Sequence, residues 1–285
     1  DGTWPDFQAV AGSPEQAFPE GQTALVLYSL LTDSSASLSN RERKALDALA
    51  ATSTDKTYTL AMRCRAWAEA IRRGGTQYRA VLRKDADALI AAGGAEGAHS
   101  YIAKSAGTNW DNSNSYFAAV GLHAADKAGA KVPAAYWRGV ERHWTQTQNA
   151  DGGWGYAPGD SNSKITLTVA GLTALQYARS HLGDVGASGA QKRGKAWLET
   201  DERFVRSIHP RIEAYYCYQL ALLDQVGGLP FYGVRSWDNA AGGFLFKRHY
   251  EDGSFRPLTP ELDGVPQTAL TESAFVLLFF YIAKP

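Results

Sequence analysis

The chain has 285 residues, 45% hydrophobic, 12% aromatic and 20% charged, enough apolar material for one large core or two modest ones. Its 29 basic and 29 acidic residues cancel, so no basic excess exists to neutralise a phosphate backbone, which weighs against nucleic acid as the partner. No segment reaches the roughly 18 apolar residues of a membrane span, and two cysteines, Cys64 and Cys217, are too few for a disulfide scaffold or a cysteine-based zinc site.

Apolar residues recur at three- and four-residue spacing near 22–32, 40–52, 56–73, 76–92, 112–128, 133–149, 164–182, 187–200, 212–226, 234–249 and 267–283, which predicts helices there. Gly/Pro/Asn/Asp/Ser clusters separate them, and convincing period-two strands are absent. The predicted class is all-α.

The helices come in two kinds. Those starting near 22, 56, 112, 164, 212 and 267 are small and apolar with few charges. The alternate ones are amphipathic, as in NRERKALDALA and YWRGVERHWTQTQ. A helix apolar nearly all round is buried on several sides, and an amphipathic one lies at a surface. The alternation predicts an inner ring of helices wrapped by an outer one, a hairpin repeat with a period of roughly fifty residues. Six inner and five outer helices are read over 1–285 as a single domain, so the first outer helix is expected ahead of Asp1.

A second signal marks the same period. Gln148-x3-Gly152-x-Trp154, Arg193-Gly194-x2-Trp197-Leu198 and Phe244-Leu245-x3-His249-x3-Gly253-x-Phe255 resemble the prenyltransferase/squalene-oxidase repeat, and longer stretches resemble uncharacterised bacterial proteins of that class. The resemblance implies the α/α toroid of terpenoid cyclases and protein prenyltransferases. Physically, the glycine permits a tight turn and the indole clamps neighbouring hairpins, the role expected of Trp4, Trp110, Trp154 and Phe255.

The family's chemistries are not supported residue by residue. Asp85-Ala86-Asp87-Ala88 lacks the last residue of the cyclases' Asp-x-Asp-Asp acid, and neither cysteine follows an Asp two positions earlier, as the prenyltransferase zinc set requires. No metal or cofactor is expected. Cys64 and Cys217, three units apart in a six-unit ring, are expected as separate buried thiols. His123 falls mid-helix, while His143 and His249 fall near the ends of outer helices, where the dipole favours their charged form.

The inner barrel and the loops leading into it are the expected site. Aligning the Gly-Leu pairs at Gly121 and Gly171 matches Asn112 with Asn162, and Asn114 belongs to the same polar start. Asp111, Glu213 and Glu272 are the candidate acids or bases; Tyr58, Asn112, Asn114, Asn162, Tyr215, Tyr216, Gln267 and Thr271 are the candidate ligand contacts. Helix capping is the first reading of the Asp/Asn/Ser loops, although each presents more polar side chains than one cap requires. Three readings stay open: a terpenoid-cyclase-like protein holding an apolar, lipid-like or isoprenoid small molecule; a lyase or hydrolase acting on an oligosaccharide; and a non-catalytic binding or scaffold domain flanked by others in a longer chain. The compartment is not legible.

Overall fold

The computed structural model describes residues 20–32, 36–103, 109–184, 186–200, 214–225, 261–262, 265–266 and 269–282. Among them are α1 (Gly21–Thr32), α2 (Asn40–Ala50), α3 (Thr57–Arg72), α4 (Arg79–Gly93), α5 (Asn112–Lys127), α6 (Ala134–Gln146), α7 (Ile165–Leu182), α8 (Gly189–Glu199), α9 (Ala214–Gln225) and α10 (Ala269–Ile282). A two-residue antiparallel ladder, β1 (Glu261–Leu262) with β2 (Val265–Pro266), precedes α10. The predicted helix 234–249 and the repeat elements at Trp4 and Phe255 lie outside the described residues.

Burial separates two kinds of helix, as the sequence predicts. Thr23 to Ser29 of α1 and Leu167 to Leu175 of α7 are buried without a break, which puts every face of those helices against protein. Helix α2 buries only the stripe Ala45, Leu46 and Leu49. The apolar helices pack in sequence, α1 on α3, α3 on α5, α5 on α7, α7 on α9 and α9 on α10, and α10 returns to α1. This closes an inner ring of six. Around it, α2 lies on α1, α4 on α3 and α5, and α6 and α8 on α7. The fold is an all-α toroid.

Small residues set the ring's spacing. A Cβ on Gly121 of α5 would stand 2.7 Å from Ala61 Cα of α3, so these helices touch backbone to backbone. Cys64 and Cys217 are buried on the second and fifth members of the ring, on opposite walls.

The repeat residues form one interlocked joint. Helix α6 stops at Gln146, short of the predicted 149, and Asn149 N donates to Gly153 O to close a turn instead. Gln148 Nε2 donates to Gly152 O and to Ala190 O, each at 2.8 Å, tying that turn to α8. Gly152 has φ +97°, a conformation that side chains resist, and a Cβ there would meet Arg193 O at 2.9 Å. Trp154, 0% exposed, lies in the cleft among α6, α7 and α8, and its Nε1 donates to Trp144 O at 2.8 Å. A Cβ on Gly171 of α7 or Gly194 of α8 would collide with its ring at 2.9 and 2.7 Å. Trp197 closes the joint from the other side, donating to Asp151 at 2.7 Å. Trp154→Ala removes the wedge and a buried hydrogen bond together; the expected loss is about 3–5 kcal/mol, read by urea unfolding.

Candidate functional site

At the N-terminal end of the inner helices, the sequence's preferred acid sits in a phenolic cluster. The strand-like segment around Ile102 pairs with Lys56, and Thr57 Oγ1 donates to Ser100 O at 2.6 Å, which fixes Tyr101 beside the start of α3. Asp160 accepts from Tyr156 N at 2.7 Å and Asn112 N donates to Tyr156 O at 2.8 Å, which fixes Tyr156 beside the start of α5. Asp111 caps α5, accepting from Asn114 N at 2.8 Å and from Asn114 Nδ2 at 2.7 Å. Burial pushes its carboxyl pKa up, against hydrogen bonds from Asn114, Ser113 and Tyr156 that hold it down. Tyr101 and Tyr156 share a 2.6 Å hydroxyl bond, and Tyr58 donates to Ser113 Oγ at 2.7 Å. Burial, and then Asp111, raise the Tyr58 phenol well above its ordinary value.

The other predicted contacts divide. Asn112 is buried and joins elements: its Nδ2 donates to Gly155 O at 2.9 Å and its Oδ1 lies 2.9 Å from His143 Nε2. Asn162 is exposed, its amide donating to Asp160 in a local turn. The two asparagines are therefore not equivalent, and the reason is visible in the glycines used to align them. Gly121 faces Ala61 of the preceding inner helix, whereas Gly171 faces Trp144 and Trp154. His143 also departs from expectation: burial lowers its pKa to about 4, so it is a neutral hydrogen-bond partner and not a cation on the helix dipole. Glu213 and Gln267 lie outside the described residues; Tyr215, Tyr216, Thr271 and Glu272 fall on α9 and α10, but their side chains lie outside them too.

Asp85, of the incomplete acid motif, has a structural setting. It projects from α4 onto α3, accepting from Arg63 Nε at 2.7 Å and Trp67 Nε1 at 2.8 Å, while Arg63 Nη1 also donates to Leu49 O at the end of α2. All three side chains are nearly inaccessible. Asp87 is exposed and pairs with Arg83. Asp85→Ala strands the Arg63 charge in the core and is expected to cost about 3–5 kcal/mol by chemical denaturation.

A cavity of about 530 Å³ opens at the opposite end, among the C-terminal halves of the inner helices. Its polar side comes from residues about one turn apart: Arg65, Glu69 and Arg72 on α3, and His123 and Lys127 on α5. Its apolar side includes Val120, Leu222 and Ile282. Glu69 is the carboxylate of this lining among the described residues, and it is bound to Arg72 at 2.6 Å. Arg65 lies two turns deeper than Arg72 and is 5% exposed. Its guanidinium reaches across the ring, donating to the hydroxyls of Tyr28 on α1 and Tyr218 on α9, and stands 4.1 and 5.3 Å from the two ring centres. No carboxylate pairs with it among the described residues. Sequence reading missed both Arg65 and His123, because a charge in mid-helix does not by itself announce which wall it faces.

No family model matches this chain, and no curated protein does. Among solved structures it is similar to the ent-copalyl diphosphate synthase from Streptomyces platensis, at 14% identity and a TM-score of 0.41 over 92% of this chain and 50% of that one. The chain thus spans about half the length of that synthase. The ring assignment above stands on the chain's own helix contacts.

Proposed function

We propose that the toroid binds a small amphipathic anion, an isoprenoid or similar lipid-like molecule with a negatively charged group, in the cavity at the C-terminal mouth of its inner helices. The observation that carries this reading is Arg65, a buried guanidinium held by phenol hydroxyls and facing a cavity, with no carboxylate in a salt bridge to it among the described residues, Glu69 one turn away being bound to Arg72. A buried charge is costly unless an opposite charge joins it, so the cavity is electrostatically incomplete until an anion enters. Two of the five guanidinium N–H groups go to hydroxyls, leaving donors for a ligand.

The remaining lining supports the same chemistry. The volume lies in the range of about 300–1,000 Å³ usual for small-molecule sites. Arg72 and Lys127 occupy the last turns of α3 and α5, where helix dipoles favour cations, and they guide a negative group inward. Valine, leucine and isoleucine side chains take the apolar body. Catalysis on an oligosaccharide needs two facing carboxylates, and the described lining offers Glu69, already bound to Arg72. In this reading Asp111, with Tyr58, Asn114 and the paired Tyr101 and Tyr156, is a separate polar group at the other mouth of the barrel.

The test compares farnesyl diphosphate with farnesol by calorimetry. The wild type is expected to bind the diphosphate and to prefer it over the alcohol, and Arg65→Met to weaken diphosphate binding by about 30-fold or more while leaving farnesol unchanged. Because Met replaces an uncompensated buried cation, the variant is expected to remain folded, as checked by thermal unfolding. Equal affinity for both ligands, or an Arg65→Met protein that binds the diphosphate as the wild type does, contradicts the reading.

A further inference from the structure

Three side chains outside the anion contact form a chain from the surface to the same cavity. Asp126, at the end of α5, accepts from Val132 N at 2.8 Å through Oδ1 and lies 3.4 Å from His181 Nδ1 through Oδ2. His181 Nε2 lies 3.0 Å from His123 Nδ1. Both imidazoles are clamped: Trp137 stacks on His181 at 4.1 Å with 4° between planes, and Tyr177 stacks on His123 at 3.8 Å with 19°. His123 lines the cavity.

The order of these contacts governs where a proton can land. A carboxylate carries no proton to give, so the Asp126 charge 3.4 Å away favours the His181 proton on Nδ1 and leaves Nε2 with its lone pair. That lone pair accepts the Nδ1 proton of His123, and the free lone pair of His123 is on Nε2. We propose that Asp126, His181 and His123 form a proton-accepting relay in which His123 Nε2 takes up a proton when an anion occupies the cavity beside Arg65. The uptake converts neutral His123 to imidazolium. Its Nδ1 proton can pass to His181 Nε2 as the His181 Nδ1 proton passes to Asp126, which moves the added positive charge outward and breaks no other bond.

The proposal rests on the anion reading for its trigger and on geometry for its relay. His123 shares the cavity with Arg65, Glu69 and Arg72 of α3, Arg79 of α4 and Lys127 of its own helix. From the other walls it faces Tyr28 of α1, Tyr177 and His181 of α7 and Tyr281 of α10. Burial first, then His181, Lys127 and Arg65, push its pKa down to about 3, so it is neutral and ready to accept in the empty protein. An anion opposes those cations and raises the value. Proton uptake then accompanies binding, and affinity must improve as pH falls.

Octane-1-sulfonate is the probe, since its charge is constant between pH 4 and 8 and every proton taken up is the protein's. For the wild type, Kd is expected to tighten at least about threefold from pH 7 to 4.5, within the limit of about tenfold per pH unit for one proton. Calorimetry in two buffers of different ionisation enthalpy should show net proton uptake. His123→Gln should lose the pH dependence, its own affinity staying the same between pH 7 and 4.5, whereas Glu69→Gln should keep the wild-type trend. A wild type without pH dependence, a His123→Gln protein that retains it, or its loss in Glu69→Gln overturns the relay. Failure of the sulfonate to bind at any pH strikes the anion reading instead, and the relay is then decided in the ligand-free protein by ¹⁵N-resolved imidazole spectra. These should show His123 protonated on Nδ1 and bare on Nε2, with Asp126→Asn moving that proton to Nε2. A tautomer indifferent to Asp126→Asn overturns it.

Discussion

Helices that are apolar on every face cannot stop at a surface, and that constraint organises this protein. Each of the inner helices needs neighbours on both flanks and a cover outside, and a closed ring supplies the flanks without leaving an end. Closure demands close approach. Gly121 against Ala61 provides it within the ring, and Gly171 and Gly194 make room for Trp154 between the ring and its cover. Because the same wedge contacts α6, α7 and α8, a single indole couples one hairpin unit to the next.

A ring of this kind leaves an axis, and its filling determines what the protein can hold. Here the middle is crossed by Arg65 between Tyr28 and Tyr218, with Tyr116 and Tyr177 also buried nearby in the core. The phenols satisfy part of the guanidinium and leave its charge uncancelled. At the rim, helix C-termini offset the cations of Arg72 and Lys127; Arg65 lies too deep for that help. In the proposed reading the anion's contact is therefore at the bottom of the cavity and not at its mouth. The histidine chain brings a proton acceptor to the same space.

The ring was legible in the sequence because burial on all faces leaves an unmistakable composition, and TALVLYSLL reads differently from NRERKALDALA. The joint was legible for the same reason: glycines and indoles at fixed spacing have few structural uses. Polar starts such as Asp111-Asn112 were found, but their roles were not separable, since one residue type caps a helix, bridges a turn or meets a ligand. The cavity pair escaped. Arg65 sits among alanines and Trp67 in a helix that also carries Arg63, and Arg63 turns to Asp85 while Arg65 turns to the axis. Two residues apart on a helix means nearly opposite faces, and only the packing says which face is inside. His123 and His181 were likewise separated by 58 residues and by a register that glycine alignment set differently.

The central claim is that the axis of this toroid carries a charge waiting for its partner. The direct measurement is native mass spectrometry of the wild type and Arg65→Met proteins purified from the organism that encodes them, with extraction and identification of what each retains. The account predicts an anionic amphiphile on the wild type, absent from the variant. A neutral lipid or an oligosaccharide on the wild type, or the same anion retained equally by both proteins, would contradict it.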